Sequence, residues 1–231
     1  MYGFYFDRTY FLLIIAALIS LGASALLKKT YSTYSRVRSH SGLTGEETAR
    51  RILRSAGIND VQVVAVQGSL TDHYDPRSHK VCLSETTYGQ TSLAAVSVAA
   101  HECGHAIQHA HNYAPLNIRS AIVPVANIGA NLSWPIFVVG LILSMRPVLM
   151  IGILMFSLAV LFQLVTLPVE FNASSRALVM LEQTGTLSPE ENKGARKVLT
   201  AAALTYVAAL AGSVLQLLRM IALAGGNRRD D

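Results

Sequence analysis

Three stretches of the 231-residue chain are apolar at almost every position, and a fourth is mildly so. Thr9 to Leu27 is near the length needed to cross a bilayer. Ile122 to Met145 is apolar apart from Asn127, Asn131 and Ser133, and Val148 to Leu167 follows after the tight break Arg146-Pro147. Two such runs joined by a short turn predict a hairpin that crosses a bilayer and returns to the side it left. Thr200 to Leu218 is alanine-rich and less hydrophobic. It lies inside a helix expected from Pro189 to about Leu223, which either spans or packs on the rest of the protein.

The polar segments carry shorter signals. Thr44-Gly45-Glu46-Glu47 is a capping box, predicting a helix to about Ala56 with Gly57 as its stop. Ser188-Pro189-Glu190-Glu191 is a second, with proline at the first helical position. Val61 to Val66 is a β-branched run and predicts a strand, and Lys80 to Ser84 predicts another. Between them, Thr71-Asp72-His73-Tyr74-Asp75-Pro76-Arg77 is a polar turn. Leu93 to Ala110 predicts a helix whose first turns, Ala94 to Ala100, are small and apolar, as in a helix packed closely on its neighbours.

Composition agrees with a membrane-associated chain: 52% of residues are hydrophobic and only 14% charged, which is oily for a soluble enzyme. The net charge of +5 is unevenly spread. Lys28, Lys29, Arg36, Arg38, Arg50, Arg51 and Arg54 all follow the first apolar run. Ala23-Ser24-Ala25 resembles a signal-peptide cleavage site, but a signal needs its positive charge in front, where Asp7 offsets Arg8. The pattern favours an uncleaved anchor with the following segment in the cytoplasm. Arg50, Arg51 and Arg54 read as a solvated or headgroup-facing helix face. No basic-aromatic interleaving or finger spacing points to nucleic acid. Two cysteines form no disulfide framework, consistent with a reducing compartment.

Candidate chemistry sits in the small-residue helix. His101-Glu102-Cys103-Gly104-His105 places two imidazoles one turn apart on one face, where both reach a single metal ion. Glu102, about 100° round from His101, can act on a water without coordinating. A histidine–glutamate cluster in so apolar a helix is costly unless something compensates it, and zinc does so. Cys103 faces away from both histidines and reads as core. Gly104 predicts the close approach of another backbone or of a substrate. A third protein ligand is required. His111 stands at the last position of H-E-x-x-H-x-x-G-x-x-H, but Gln108 replaces the glycine that lets that chain turn. His109 lies more than about 10 Å along the helix from His101. Glu170, at the end of the second apolar run of the hairpin, is favoured: an unpaired carboxylate there is expensive, and the hairpin returns it to the same membrane face. It is expected to open a new helix after the span.

The segment from Asp72 through Gln108, containing DHYDP, LSE and AAHECGHAIQH, resembles the bacterial membrane-bound YugP-type neutral zinc metallopeptidases. So do the hairpin and VEFNASSRA. The resemblance covers nearly the whole chain and implies a zinc-dependent membrane peptidase with His101 and His105 as ligands and Glu102 as catalytic residue. A more distant similarity is to the HtpX and CAAX-prenyl-protease class, where the third ligand is the glutamate of E-F/Y-x-A-D. Glu170 and Ala173 match, while Ser174 replaces the aspartate, and a serine orients an imidazole less firmly than a carboxylate. Asp72, Asp75 and Asn172 are alternatives for that role. In zinc peptidases of this type an edge strand beside the motif helix holds the substrate backbone, and Val81 to Ser84 is the candidate. His73, Tyr74, His79 and Arg176 are unranked candidates for an oxyanion donor.

The expected fold is mostly α: a membrane-anchored, zincin-like (gluzincin) peptidase with a small β-sheet beside the HExxH helix and three to four transmembrane helices. Its expected parts are an anchor at 1–27, a cytoplasmic peptidase half at 28–118, a transmembrane hairpin at 119–167, and a third-ligand helix with C-terminal helix at 168–231. The expected activity is Zn²⁺-dependent hydrolysis of peptide bonds in membrane or membrane-proximal proteins, at the cytoplasmic face of the bacterial plasma membrane. Glu102 is the general base, and His101, His105 and Glu170 are the metal ligands. The expected partners are a protein or peptide substrate and the bilayer, without nucleic acid, and with room for a regulator or a homo-oligomer. The alternatives are a zinc-stabilised membrane scaffold without proteolytic activity and a secreted soluble peptidase.

Overall fold

A computed structural model describes residues 9–226, so Asp7, Arg8 and the Asn227-Arg228-Arg229 tail lie outside the described residues. The element order is α1 (Tyr10–Tyr34), α2 (Gly45–Ser55), β1 (Gln62–Val66), β2 (His73–Asp75), β3 (Lys80–Ser84), α3 (Leu93–Ala110), α4 (Ala114–Ile142), α5 (Arg146–Gln183) and α6 (Pro189–Gly226). The fold is mostly helical with one three-stranded sheet. Helices α1, α4, α5 and α6 are each long and apolar enough to cross a membrane. At 38 residues, α5 and α6 are each about 57 Å long, nearly twice the ~30 Å of a hydrocarbon core.

The chain divides into two units. One comprises the helical segments up to Ser24, Ile118–Leu167 and Thr205 onward. Its core is Phe137, Leu149, Ile153 and Met220. Helices α4 and α5 approach closely there, because a side chain at Gly152 would meet Phe137 and one at Gly140 would meet Leu149. Small residues at such contacts replace the hydrophobic drive that lipid cannot supply. The turn between these helices runs through Ser144, at φ 52°.

The other unit is Ala25–Asn117 with Pro168–Leu204, and it contains the sheet and α3. Its core gathers Ile52 and Leu53 of α2, Val81 and Leu83 of β3, Val96, Ala99 and Cys103 of α3, Ala177 and Leu181 of α5, and Leu199 of α6. Helix α2 starts where its capping box places it: Thr44 Oγ1 accepts from the Glu47 N–H, and Glu47 Oε2 accepts from the Thr44 N–H at 2.8 Å. It ends before Gly57, at φ 73°. The Ser188–Glu191 box opens α6 by the same reciprocal bonds, and Glu191 Oε1 also accepts from the His40 N–H.

Four expectations need correction. The stretch from Thr71 to Arg77, expected as a polar turn, contains strand β2. Strand β3 is central, not at an edge: the sheet order is β1-β3-β2, with β1 parallel to β3 and β2 antiparallel to it. The free edges therefore belong to β1 and β2. Glu170 does not open a helix. Pro168 lies inside α5, which runs unbroken past it, as membrane-type helices tolerate when the lost bond is local. Helix α4 begins at Ala114, earlier than the apolar run, and carries Pro124 and Pro135 in its interior.

Candidate metal centre

The site is built by two helices of the second unit. His101 and His105 are successive turns of α3, and Glu170 lies on α5. One nitrogen from each imidazole and one carboxylate oxygen all fall within 4.8 Å of one another. The nitrogens facing Glu170 Oε2 are the two Nε2 atoms, at 3.3 Å from His101 and 3.6 Å from His105. The rings meet edge to face with centroids 4.8 Å apart, so neither blocks the other's lone pair. Glu170 is 2% exposed and His105 9% exposed, so the donors converge in a nearly dry place.

What brings the helices so close is Gly104. A Cβ there would overlap the Ala173 carbonyl of α5, so the motif's glycine is the point at which α3 and α5 touch backbone to backbone. Glu170 and Ala173, one turn apart on α5, then face His101, His105 and Gly104 together.

The outward nitrogens are held as well. Gln108, fully buried, donates from Nε2 to Val169 O at 2.8 Å and to Asn172 Oδ1 at 3.0 Å. Its Oε1 is thus left to accept, and His105 Nδ1 lies 3.0 Å from it. The amide orientation therefore assigns the proton to Nδ1 and leaves the Nε2 lone pair facing Glu170. Asn172 Oδ1 also accepts from Arg176 Nε at 2.8 Å, which holds Asn172 from the far side. On the other ring, Ser174 Oγ lies 3.2 Å from His101 Nδ1. The serine discounted from sequence as a partner for an imidazole is the residue that meets one.

Sequence reasoning missed Gln108, although the signal was present: it lies three residues after His105, where helical side chains meet. Ser174 had the matching signal, four residues after Glu170. Asn172 enters one step out, against Gln108 rather than a ring. Asp72 and Asp75 do not approach either histidine. Asp72 accepts from the Ser84 N–H and from Ser84 Oγ, both at 2.8 Å. Asp75 accepts from the Arg77 N–H and Ser78 Oγ.

Glu102 is 7% exposed beside His101. Burial pushes its carboxyl above its ordinary pKa of 4.5, while the neighbouring histidines pull the other way. Cys103 packs in the core, with its thiol 3.6 Å from Ala49 O. His109 is outside the cluster and shares a 2.8 Å hydrogen bond with the Tyr74 hydroxyl, and His111 is exposed at the helix end. Of the oxyanion candidates, His73 bonds Thr71 O and His79 bonds Asp60, while Arg176 stacks on Tyr113.

Two imidazole nitrogens and a carboxylate oxygen are a donor set for zinc, and comparison with known proteins gives the same answer independently. Residues 9–225 match the family described as "Putative neutral zinc metallopeptidase". The chain belongs to this family. It is also 48% identical over 211 residues to the Bacillus subtilis (strain 168) protein named "Putative membrane protease YugP", covering 91% of this chain and 94% of that one. No solved structure matches it. The family implies Zn²⁺ as cofactor, and the His101–His105–Glu170 cluster is able to bind a metal. The four apolar helices and the relative's name both point to a membrane location.

Proposed function

We propose that the protein is a membrane-bound zinc endopeptidase that cleaves membrane or membrane-proximal proteins, with its site at the cytoplasmic face. His101 and His105, through Nε2, and Glu170, through its carboxylate, would hold the metal. One observation carries the reading: three donor atoms of zinc-binding type converge within 4.8 Å, with the second nitrogen of each ring already engaged elsewhere. That is the arrangement a metal-ligating histidine takes.

When bound, zinc supplies Lewis acidity toward a water and toward a substrate carbonyl. The chain's own residues do the rest. Glu102, as carboxylate, accepts a proton as the oxygen of water bonds to the carbonyl carbon. It returns that proton to the nitrogen as the C–N bond breaks, releasing a carboxylate and an amine. Gln108 keeps the His105 imidazole in one tautomer, and Ser174 helps hold the orientation of the His101 ring.

The cytoplasmic orientation is supported by Lys28, Lys29, Arg36 and Arg38, which follow the first apolar run. In this reading residues 1–27 are the anchor, 119–167 the returning hairpin, and 28–118 with the start of 168–231 the peptidase part. The test is Glu102→Gln: cleavage of a membrane-protein substrate should fall below detection, while zinc content stays near that of wild type. Unchanged cleavage in that variant removes Glu102 from the mechanism.

A further inference from the structure

A groove of about 450 Å³ lies between the end of α1 and the start of α6, away from the metal cluster. Lys29 lines it from α1, and Arg196 and Lys197 line it from α6. No carboxylate is among its lining residues, and all three cations are exposed. Among the described residues, none of the three makes an ion pair or a side-chain hydrogen bond. Three unneutralised cations on one cavity repel one another, so the site favours an anion.

Thr30, Thr33, Tyr34 and Thr200 add hydroxyl groups to the lining, and its aliphatic part is Leu26, Ala201 and Leu204. On α1, Leu26 precedes Lys29 by about one turn; on α6, Ala201 and Leu204 follow Lys197 by one to two turns. Along the chain the aliphatic side chain precedes the cation on α1, whereas the aliphatic side chains follow the cations on α6. Leu26 and Leu204 are 43% and 37% exposed, so the aliphatic end is not sealed by protein. On α1 the cations come directly after the apolar run ending at Leu27, which is the depth of lipid phosphates.

We infer that this groove binds one anionic glycerophospholipid, its phosphate among Lys29, Arg196 and Lys197 and an acyl chain along Leu26, Ala201 and Leu204. A free phosphate uses only the basic end, and a zwitterionic lipid brings a cation to cations already in excess. An anionic lipid satisfies both ends. The bound lipid ties α1 to α6 within the unit that also holds the metal cluster. Tyr34 of α1 already packs there on Gly194 of α6.

The test uses the full chain in a mild detergent, with phosphatidylglycerol, phosphatidylcholine and inorganic phosphate as probes. Native mass spectrometry should retain one phosphatidylglycerol per chain in preference to phosphatidylcholine. Lys29→Gln/Lys197→Gln should weaken it about thirtyfold, some fivefold for each cation removed. Equal retention of the two lipids, or unchanged binding in the double variant, overturns the proposal. So does displacement of the lipid by millimolar phosphate. Amine footprinting of wild type in bicelles covers the case in which the variant does not fold. Lys29 and Lys197 should be protected by phosphatidylglycerol relative to phosphatidylcholine, while Lys80 and Lys193 react equally in both. Equal reaction of Lys29 and Lys197 in the two lipids rejects the site.

Discussion

Gln108 Oε1 lies 3.0 Å from Nδ1 of His105, and the same side chain's Nε2 is committed to the Val169 carbonyl of the facing helix. One amide thus fixes the tautomer of an imidazole and fastens α3 to α5 at the level of the metal cluster.

Replacing Gln108 with leucine should remove both functions. Zinc affinity should fall by about 10–100-fold, as when other partners of ligating histidines are removed. Gln108→Glu separates the two: it can still accept from Nδ1 but cannot donate to Val169 O. It should keep most of the zinc affinity while losing about 1–3 kcal/mol of stability from the unpaired carbonyl. Competition with a chromophoric chelator and thermal melts of both variants measure this. Equal zinc affinity in wild type and Gln108→Leu contradicts the role given to the amide.

Gly104→Ala should act through backbone contact. The added methyl meets the Ala173 carbonyl, which forces α3 and α5 apart and costs about 1–3 kcal/mol as overpacking. Because the same two helices carry the three donors, zinc stoichiometry should fall with stability. Cys103→Ala, one position away but turned into the core, should destabilise without lowering zinc content in the folded fraction. Normal zinc binding by Gly104→Ala would contradict the role given to this contact in setting the spacing of the donors.

Much of this was legible in the sequence where the signal is local. The Thr44–Glu47 and Ser188–Glu191 boxes announce their helices because both partners lie within one turn. His101 and His105 announce a shared face for the same reason. What could not be read depends on distant segments. Nothing within Lys80–Ser84 distinguishes a central strand from an edge strand; that follows from β1 and β2 arriving on either side. Glu170 reads as opening a new helix after the span, yet α5 continues through Pro168 to Gln183. Ser174 reads as a poor substitute for aspartate, and its value appears only when α5 is laid against α3.

Acid should expose the capping box. The hydrogen bonds from Thr44, backbone first, hold the Glu47 carboxyl below its ordinary pKa of 4.5. A carboxyl lowered on folding stabilises above its unfolded pKa, and that contribution is lost as pH falls through the folded value. Glu47→Gln retains the hydrogen-bonding shape without the charge. The difference in melting temperature, wild type minus Glu47→Gln, should be positive at neutral pH and shrink toward zero as pH drops below 4.5. A difference that stays constant across that range shows that the carboxylate form contributes nothing.

Joint holding of one zinc ion by α3 and α5 makes the zinc content of purified full-length Glu170→Ala the decisive measurement. His111→Ala, made and purified alongside, is the control. Joint holding requires about one zinc per chain in wild type and in His111→Ala, and a large loss in Glu170→Ala. Zinc retained in Glu170→Ala and lost in His111→Ala would contradict it.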